Sequence, residues 1–411
     1  MRILDMALRN LGRNHRRTAL AASSVFFAIM LILIMNGLVN GFMESMVRNY
    51  TKNDSGHVHI ATEGYRARER FMPVDENVPD STALAAAIKD LDGLEGRVEI
   101  VAERIRFGTL LSSGPATKAA FGMAGDPELE TELVMLDRSI VEGRYLTGSG
   151  DAVLGAGLAA DLGLTVGDTL KVVTQRADYG IGFKRFTIAG IFKTGVNTLD
   201  GNLFQIGLDD ARELLAIEGA QQLLVMLDRS DFAPEAARII EAALPGLGFS
   251  GLTARPWQQD SFGGFITLVS GVYWFMYLIF AALGAFIITN VMMMVVLERK
   301  REIGIMKSMG MPRLELLGLF LLEGSLIGLA GSFLGSAVGT LLNWVFSKIG
   351  FDMTDALAGF SWPLDNIIYP RVDLLQALLF VGLGTLVAAA MSYLPSRSAS
   401  RMDPVEAIRS V

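Results

Sequence analysis

The 411-residue chain has no cysteine and only three histidines, His15, His57 and His59. The missing thiols exclude disulfides, thiolate metal sites and a cysteine nucleophile, so any part of the fold in an oxidising compartment holds by packing alone. No Gly-Lys dipeptide occurs, which excludes the P-loop, whose lysine follows a glycine and reaches the nucleotide phosphates. ATP hydrolysis by that route is closed to this chain. No HExxH is present, and the nearest approach to a nucleophile elbow, GSGD at Gly148–Asp151, lacks the Gly-x-Ser-x-Gly spacing. His57 and His59 share one face of an expected strand, but no third ligand is in sight. They read as exposed or packed strand residues, and no metal site is expected. Charge is also scarce: 19% of residues are charged against 51% hydrophobic, with a mean hydropathy of +0.40. That balance is too apolar for an ordinary soluble protein.

What is present is a set of long apolar runs. A hydrocarbon core about 30 Å thick needs roughly 20 apolar residues in a helix, and residues 18–43, 264–297, 314–347 and 374–395 meet that length. The third holds Glu323 within its apolar run. The first exceeds the apolar region of a secretory signal and reads as an uncleaved span. Orientation follows from the flanks, because Lys and Arg near span ends stay in the cytoplasm. The N-terminal flank carries +4, the segment Glu298–Glu315 +2 and the tail after the fourth span +1. Glu44–Gly263, with 21 basic and 32 acidic residues, carries −11, and Lys348–Asp373 carries −2. The expected fold class is therefore a membrane α-helical protein of four transmembrane helices, with a large mixed α/β domain inserted between helices 1 and 2 on the outer side. Residues 1–17 are an amphipathic cytoplasmic segment, 44–263 the outer domain with stalk helices, and 298–313 a cytoplasmic helix. Residues 348–373 form an extracytoplasmic loop and 396–411 a cytoplasmic tail. Both termini lie inside.

Within the outer domain, alternation predicts strands at His57–Ile60, Val98–Leu111, Thr169–Thr174 and Lys184–Phe192. Helical spacing predicts helices at Ser81–Leu91, Ala156–Leu162, Asp209–Ile217 and Pro234–Leu244. Helical patterns continue past the first span through Glu44–Lys52 and precede the second around Trp257–Phe262, which predicts two stalks.

Three features inside and between the spans carry candidate function. Glu323, about two turns from the cytoplasmic end of its span, is either a proton relay or a structural acid reaching the interface or a basic partner. Gly324, Gly328, Gly331, Gly335 and Gly339 recur at helical spacing on one face, a close-packing seam either within the chain or between two copies. LERKREIGIMKSMGM, Leu297–Met311, is a short charged helix between two spans. It is either a solvated interfacial loop or a docking helix for a cytoplasmic partner.

That last stretch resembles the coupling helix of the MacB/FtsX-type ABC transporter permeases. ALRNLGRNHRRTAL before the first span, EGRYLTGSGDAVLGAGLAADLGLTVGDTL in the outer domain and YLPSRSASRMDPVEAIR after the fourth are similar to that family too. Within it, LILIMNGLVNGFMESM and IITNVMMMVVLERKREIGIMKSMGM resemble the lipoprotein-releasing permeases of the LolC/LolE kind.

The resemblance implies a non-enzymatic permease of the inner membrane, its large mixed α/β domain periplasmic, that works with two copies of a cytoplasmic ABC ATPase subunit and a second permease subunit, identical or homologous. No cofactor is bound by this chain; ATP and Mg2+ belong to the partner. Glu298, Arg299, Glu302, Gly304, Lys307 and Gly310 match the ATPase-contacting positions. Asn36, Asn40, Phe42, Phe265, Val269, Tyr273 and Met276 would line a cavity for a lipoprotein or other amphipathic substrate. Tyr179, Ile181 and Phe183, in a loop shorter than the family's protruding hairpin and without its proline, would meet a periplasmic carrier or simply belong to an ordinary hairpin. The competing functions are a MacB-like exporter of peptides or small toxins and an FtsX-like regulator of a wall hydrolase. No nucleic-acid partner is expected.

Overall fold

The computed structural model describes residues 2–13, 15–114, 116–134, 136–195, 197–353, 367–401 and 403. The tail beyond 403 and the 354–366 part of the expected outer loop fall outside the described residues. In chain order, α1 (Arg2–Arg13) and α2 (His15–Tyr50) come first, followed by a π turn at Thr51–Ser55. Then come β1 (Val58–Thr62), α3 (Glu63–Ala67), α4 (Ser81–Lys89), β2 (Val98–Ser112), β3 (Thr117–Gly125), α5 (Pro127–Leu133), β4 (Ile140–Gly143), β5 (Asp151–Gly155) and α6 (Ala156–Leu162). β6 (Thr169–Gln175), β7 (Ile181–Phe192), α7 (Asn197–Asn202), β8 (Leu203–Gly207), α8 (Leu208–Leu215), β9 (Gln222–Leu227), α9 (Ala233–Ala243) and β10 (Leu252–Pro256) complete the α/β part. The chain continues as α10 (Ser261–Glu298), α11 (Lys300–Ser308), α12 (Arg313–Ile349), the short strands β11 (Phe351–Asp352) and β12 (Ile367–Ile368), and α13 (Leu374–Arg401).

Contacts divide the chain into two units. The first gathers the described residues of Met1–Ser45, Thr267–Ala356 and Asn366–Val411; the second holds Met46–Ile266. Among the described residues, four helices are long and apolar enough to cross a membrane, within Thr18–Ser55, Ser261–Glu298, Arg313–Ile349 and Leu374–Arg401.

In the first unit the glycine seam of α12 is filled by the chain's own helices. Side chains on Gly324 and Gly328 would collide with Ser392 and Ala388 of α13. A Cβ on Gly331 would stand 2.6 Å from the Ala22 carbonyl oxygen, one on Gly335 2.5 Å from that of Phe26, and one on Gly339 3.0 Å from the Leu33 Cβ, all on α2. The five glycines thus serve two neighbours in succession, which lets three backbones approach closely. Asn343, further along α12, donates to the Leu33 carbonyl at 2.7 Å, and Gly37 leaves the room its amide occupies.

The second unit is organised by β2, 15 residues long. Its first half pairs with β9, which continues to β1 and β10. Its second half pairs with β3 on one edge and β6 on the other. Because β3 leads through β8 and β5 to β7, and β7 pairs with β6, these strands close a hydrogen-bonded ring. Alternation along β2 sends Ile105, Phe107 and Leu111 into the ring's core with Leu154, Val172, Phe186 and Phe204. A second lobe packs α4 and α9 against β1, β9 and β10 through Ile60, Leu84, Ile88, Val225 and Ile240.

The helix pattern of Glu44–Lys52 is realised as the end of α2 and the start of the π turn that follows it, but the second stalk begins later than its pattern suggests. The Trp257 amide donates to the His57 carbonyl at 3.1 Å, extending the β1–β10 ladder, and Trp257–Gln259 make one 3-10 turn. Asp260 is still extended. The helix therefore starts at Ser261, where the backbone is free of the sheet.

Candidate functional site

The charged helix α11 is cross-linked to the first unit on several sides. Arg299, 6% exposed, sits just before it. Its Nη1 donates to both Glu323 carboxylate oxygens, at 3.2 and 3.1 Å, and its Nε to Glu302 Oε2 at 2.9 Å. The guanidinium lies 5.5 Å from the centre of the Phe320 ring. Glu323 also accepts from Asn10 of α1 at 2.7 Å, and Arg13 of α1 pairs with Glu302. Lys307 donates to the Ser400 carbonyl of α13 at 3.1 Å. Ile303 is buried with Val296, Leu316, Phe320 and Ala399, and Gly304 is buried beside it. Gly310, at φ +93°, turns the chain toward α12, a conformation that costs glycine little.

Of the residues expected to face an ATPase, Arg299 and Gly304 therefore point into the bundle, Glu302 and Lys307 are half-buried, and Glu298 and Gly310 are exposed. Glu323 has the basic partner that its position allowed. Outward, α11, the turn after it and the first turn of α12 present Ile305, Met309 and Leu314; the last two are each 82% exposed. The charge pattern drew attention away from these apolar residues. The signal for Ile305 and Met309 was their i, i+4 spacing beside the glycine turn; Leu314 lies beyond that turn and had none.

Asn36 and Asn40 form a polar ladder in α2. Asn40 donates to Asn36 Oδ1 at 3.1 Å and to Gln376 of α13 at 3.4 Å. Asn36 donates to the Tyr277 hydroxyl of α10 at 3.3 Å. Tyr277 and Gln376 are thus members of this cluster that sequence reasoning missed. Phe42, Val269, Tyr273 and Met276 are half-buried. Val272, Trp274, Phe275 and Leu278 on α10 are exposed. Phe265 belongs to the second unit, where its ring lies 6.4 Å from that of Phe262.

Tyr179, Ile181 and Phe183 form the β6–β7 hairpin, with Tyr179 in the left-handed region at φ +64°. All three are exposed, Ile181 by 79%. Phe183 lies opposite Val173, and Val173 opposite Leu110. An apolar row thus runs from the hairpin across the outer face of the ring.

His57 and His59 are packed, not open. The Leu227 amide donates to His57 Nδ1 at 2.9 Å, and His59 lies beside Arg66. Among the described residues no group of three His, Cys, Asp or Glu is placed to hold a metal. Burial lowers His57 to about 4. Burial, then the Arg66 charge, lowers His59 to about 3. A base with a depressed folded pKa adds stability that is complete above its unfolded pKa, near 6.5, and is lost as the pH falls toward the folded value. Asp260 works the other way: burial raises it to about 6, so acid relieves it. The two histidines outweigh it, and the second unit should be about 2 kcal/mol less stable at pH 5 than at pH 7.5. Thermal unfolding of the detergent-solubilised chain, followed by the fluorescence of buried Trp257, measures this; a flat profile between those pH values contradicts it.

Comparison with known proteins places these features. Residues 18–243 match the MacB-like periplasmic core domain family, and residues 274–404 the FtsX-like permease C-terminal family. The chain belongs to the MacB/FtsX permease family. It is similar to the lipoprotein-releasing system transmembrane protein LolC of Neisseria meningitidis, 24% identical over 412 residues covering 95% of this chain and 94% of that one. LolC of Xylella fastidiosa is 26% identical over 302 residues, 69% of this chain and 71% of its own. The macrolide export ATP-binding/permease protein MacB of Shewanella oneidensis is 32% identical over 121 residues, 29% of this chain and 16% of its own. The relatives are permease components of ABC transporters, which implies an ATPase partner. In a MacB/FtsX permease α11 falls inside the C-terminal match and the ring of β2, β3, β5, β6, β7 and β8 inside the core-domain match. Both candidate surfaces, the α11 ridge and the hairpin, therefore lie in family-defining regions.

Proposed function

We propose that this chain is the permease subunit of an inner-membrane ABC transporter. ATP hydrolysis by a separate cytoplasmic subunit, present in two copies, drives it to extract lipoproteins from the outer leaflet by mechanotransmission. The observation that carries the reading is α11. Its charges are tied inward to α1, α12 and α13, while Ile305, Met309 and Leu314 project outward. A helix fixed on several sides and bare on one transmits a push without deforming, and the bare side supplies apolar anchors for a groove. With α11 cytoplasmic, both ends of the chain lie inside and the second unit outside. Closure of the ATPase pair would move α11, and α2 and α10 would carry the movement outward. A second permease copy or homologue completes the assembly. The half-buried and exposed α10 faces with the Asn36–Asn40 ladder receive the substrate's acyl chains. The hairpin of Tyr179, Ile181 and Phe183 offers a surface to a periplasmic carrier.

The test is reconstitution with the ATPase and ATP-dependent release of an acylated protein. Met309→Asp places a charge in the proposed contact and is expected to lower ATPase binding at least about tenfold, as loss of a central apolar anchor does. Retained binding rules out α11 as the contact. The similarity to MacB favours a second reading, export of a peptide or small toxin. An active complex that transports such a molecule and releases no lipoprotein decides for it.

A further inference from the structure

The second unit holds a cleft of about 1150 Å³ between its two lobes, larger than the roughly 300–1,000 Å³ of most small-ligand pockets. One wall is apolar and comes from the ring: Phe121, 52% exposed, with Met123 and Leu203. The opposite wall is charged. There Arg66, from α3, is held by neutral acceptors: its Nε donates to Thr253 Oγ1 at 2.7 Å, and its Nη2 to the carbonyls of His59 and Thr253 at 2.5 and 3.1 Å. None of these bonds is to a carboxylate. Burial, then the neighbouring positive charge of Arg255, lowers Arg66 from its ordinary value. Two guanidiniums therefore stand within electrostatic reach of one another on the same wall, the arrangement that recognises phosphate oxygens.

Two carboxyls on that wall have the opposite need. Asp260 Oδ2 is shielded from solvent and has no hydrogen-bond partner. Burial is the main cause of its raised pKa, opposed by the Arg66 charge; burial also raises Glu69, where Asp54 adds to the rise and Arg66 opposes it. Asp54 itself is paired with Arg106. The cleft thus offers a cationic spot and, beside it, an under-compensated anionic one. Its floor includes Asn49 and Tyr50 at the end of α2 and Ser261, Phe262 and Phe265 at the start of α10. The rings of Tyr50 and Phe262 stack there at 4.0 Å. Both helices are candidate spans, and the floor is formed by the ends they send into the second unit.

We propose that this cleft binds a zwitterionic glycerophospholipid carrying a primary ammonium, with the phosphate on Arg66 and Arg255, the ammonium on Asp260 and Glu69, and the upper acyl methylenes against Phe121 and Leu203. A purely anionic headgroup would leave Asp260 Oδ2 without a donor. A quaternary ammonium has no N–H to donate to its carboxylate. The inference concerns binding by this chain alone and uses none of the α11 residues, so it stands or falls separately from ATPase docking and from lipoprotein release.

Native mass spectrometry of the delipidated full chain tests it, titrated with dihexanoyl phosphatidylethanolamine, phosphatidylglycerol and phosphatidylcholine, and with free phosphoethanolamine. One saturable phosphatidylethanolamine adduct is expected. Its affinity should drop about tenfold or more in Arg255→Gln and in Asp260→Asn, since each removes a charge-assisted hydrogen bond. The Trp257 unfolding signal checks that both variants keep the fold. Equal binding of the three lipids, or adducts indifferent to both substitutions, overturns the proposal. Free phosphoethanolamine binding as tightly as the lipid overturns the role of the apolar wall and, with it, the assignment to a lipid.

Discussion

Replacing Glu130 by alanine should destabilise the second unit by about 3–5 kcal/mol, the cost of leaving one member of a buried ion pair without its partner. Arg104 and Glu130 are both fully buried. The Arg104 Nε and Nη2 donate to Glu130 Oε1 at 3.0 and 2.9 Å, and Nη2 also to Oε2 at 2.8 Å. Gly125 makes room for that carboxylate, since a side chain there would strike it. The remaining nitrogen, Nη1, donates to the Asn53 carbonyl at 2.7 Å, in the π turn that ends the first stalk. Without Glu130, Arg104 keeps only this neutral acceptor. Domains are stable by about 5–15 kcal/mol in all, so the loss is a large fraction of the whole. For a unit of this size it should lower the midpoint by roughly 10 °C. Glu130→Gln keeps an acceptor and should fall between. The double variant Arg104→Met/Glu130→Leu removes both charges and should recover most of the stability while freeing the Asn53 carbonyl. Thermal unfolding of the four proteins in detergent measures each step. A Glu130→Ala loss below about 1 kcal/mol would mean that the guanidinium finds water or another acceptor.

This pair also marks where reading the sequence stops. Strands and helices of the α/β part were legible because their periodicity is local: Ala156–Leu162 is a helix as its pattern predicts, and Val98–Ser112 is a strand. Arg104 alternates with Ile105 and Phe107, so it reads as a solvent-facing strand residue. Only the fold lays α5 over that outer face and buries it. The ring is equally non-local. It closes because β6 pairs with both β2 and β7, and nothing in TLKVVTQ distinguishes a strand with two neighbours from an edge. The glycine face of α12 was legible as a face, but its occupants, α13 for the first two glycines and α2 for the last three, were not. The second stalk was misread at Trp257–Phe262 because apolar spacing is blind to an amide already spent on the His57 carbonyl. In the charged helix, the clustering of charge was legible and its direction was not. Arg299 meets Glu323 across a turn and part of another helix, and the outward side fell to Ile305, Met309 and Leu314.

The second large effect lies at that meeting. Arg299→Ala should leave the Glu323 carboxylate buried with Asn10 alone and destabilise the first unit by about 3–5 kcal/mol, seen as loss of folded protein on extraction. If the pair served only to hold the bundle together, replacing both members with leucine would restore yield and every activity alike. The geometry argues otherwise. Arg299 links α11 to α12 through Glu323, and Glu323 links both to α1 through Asn10. An apolar pair of similar volume keeps the packing but removes this directional tie. Arg299→Leu/Glu323→Leu should therefore fold, and should still bind the ATPase through the untouched Ile305, Met309 and Leu314. ATP-driven release should nonetheless fall by about five- to thirtyfold, the equivalent of roughly 1–2 kcal/mol of coupling. Binding and release measured on the same reconstituted complex separate the two cases. Full release by a well-folded double variant would show that the polar tie carries none of the force and that apolar packing around Ile303 and Phe320 suffices.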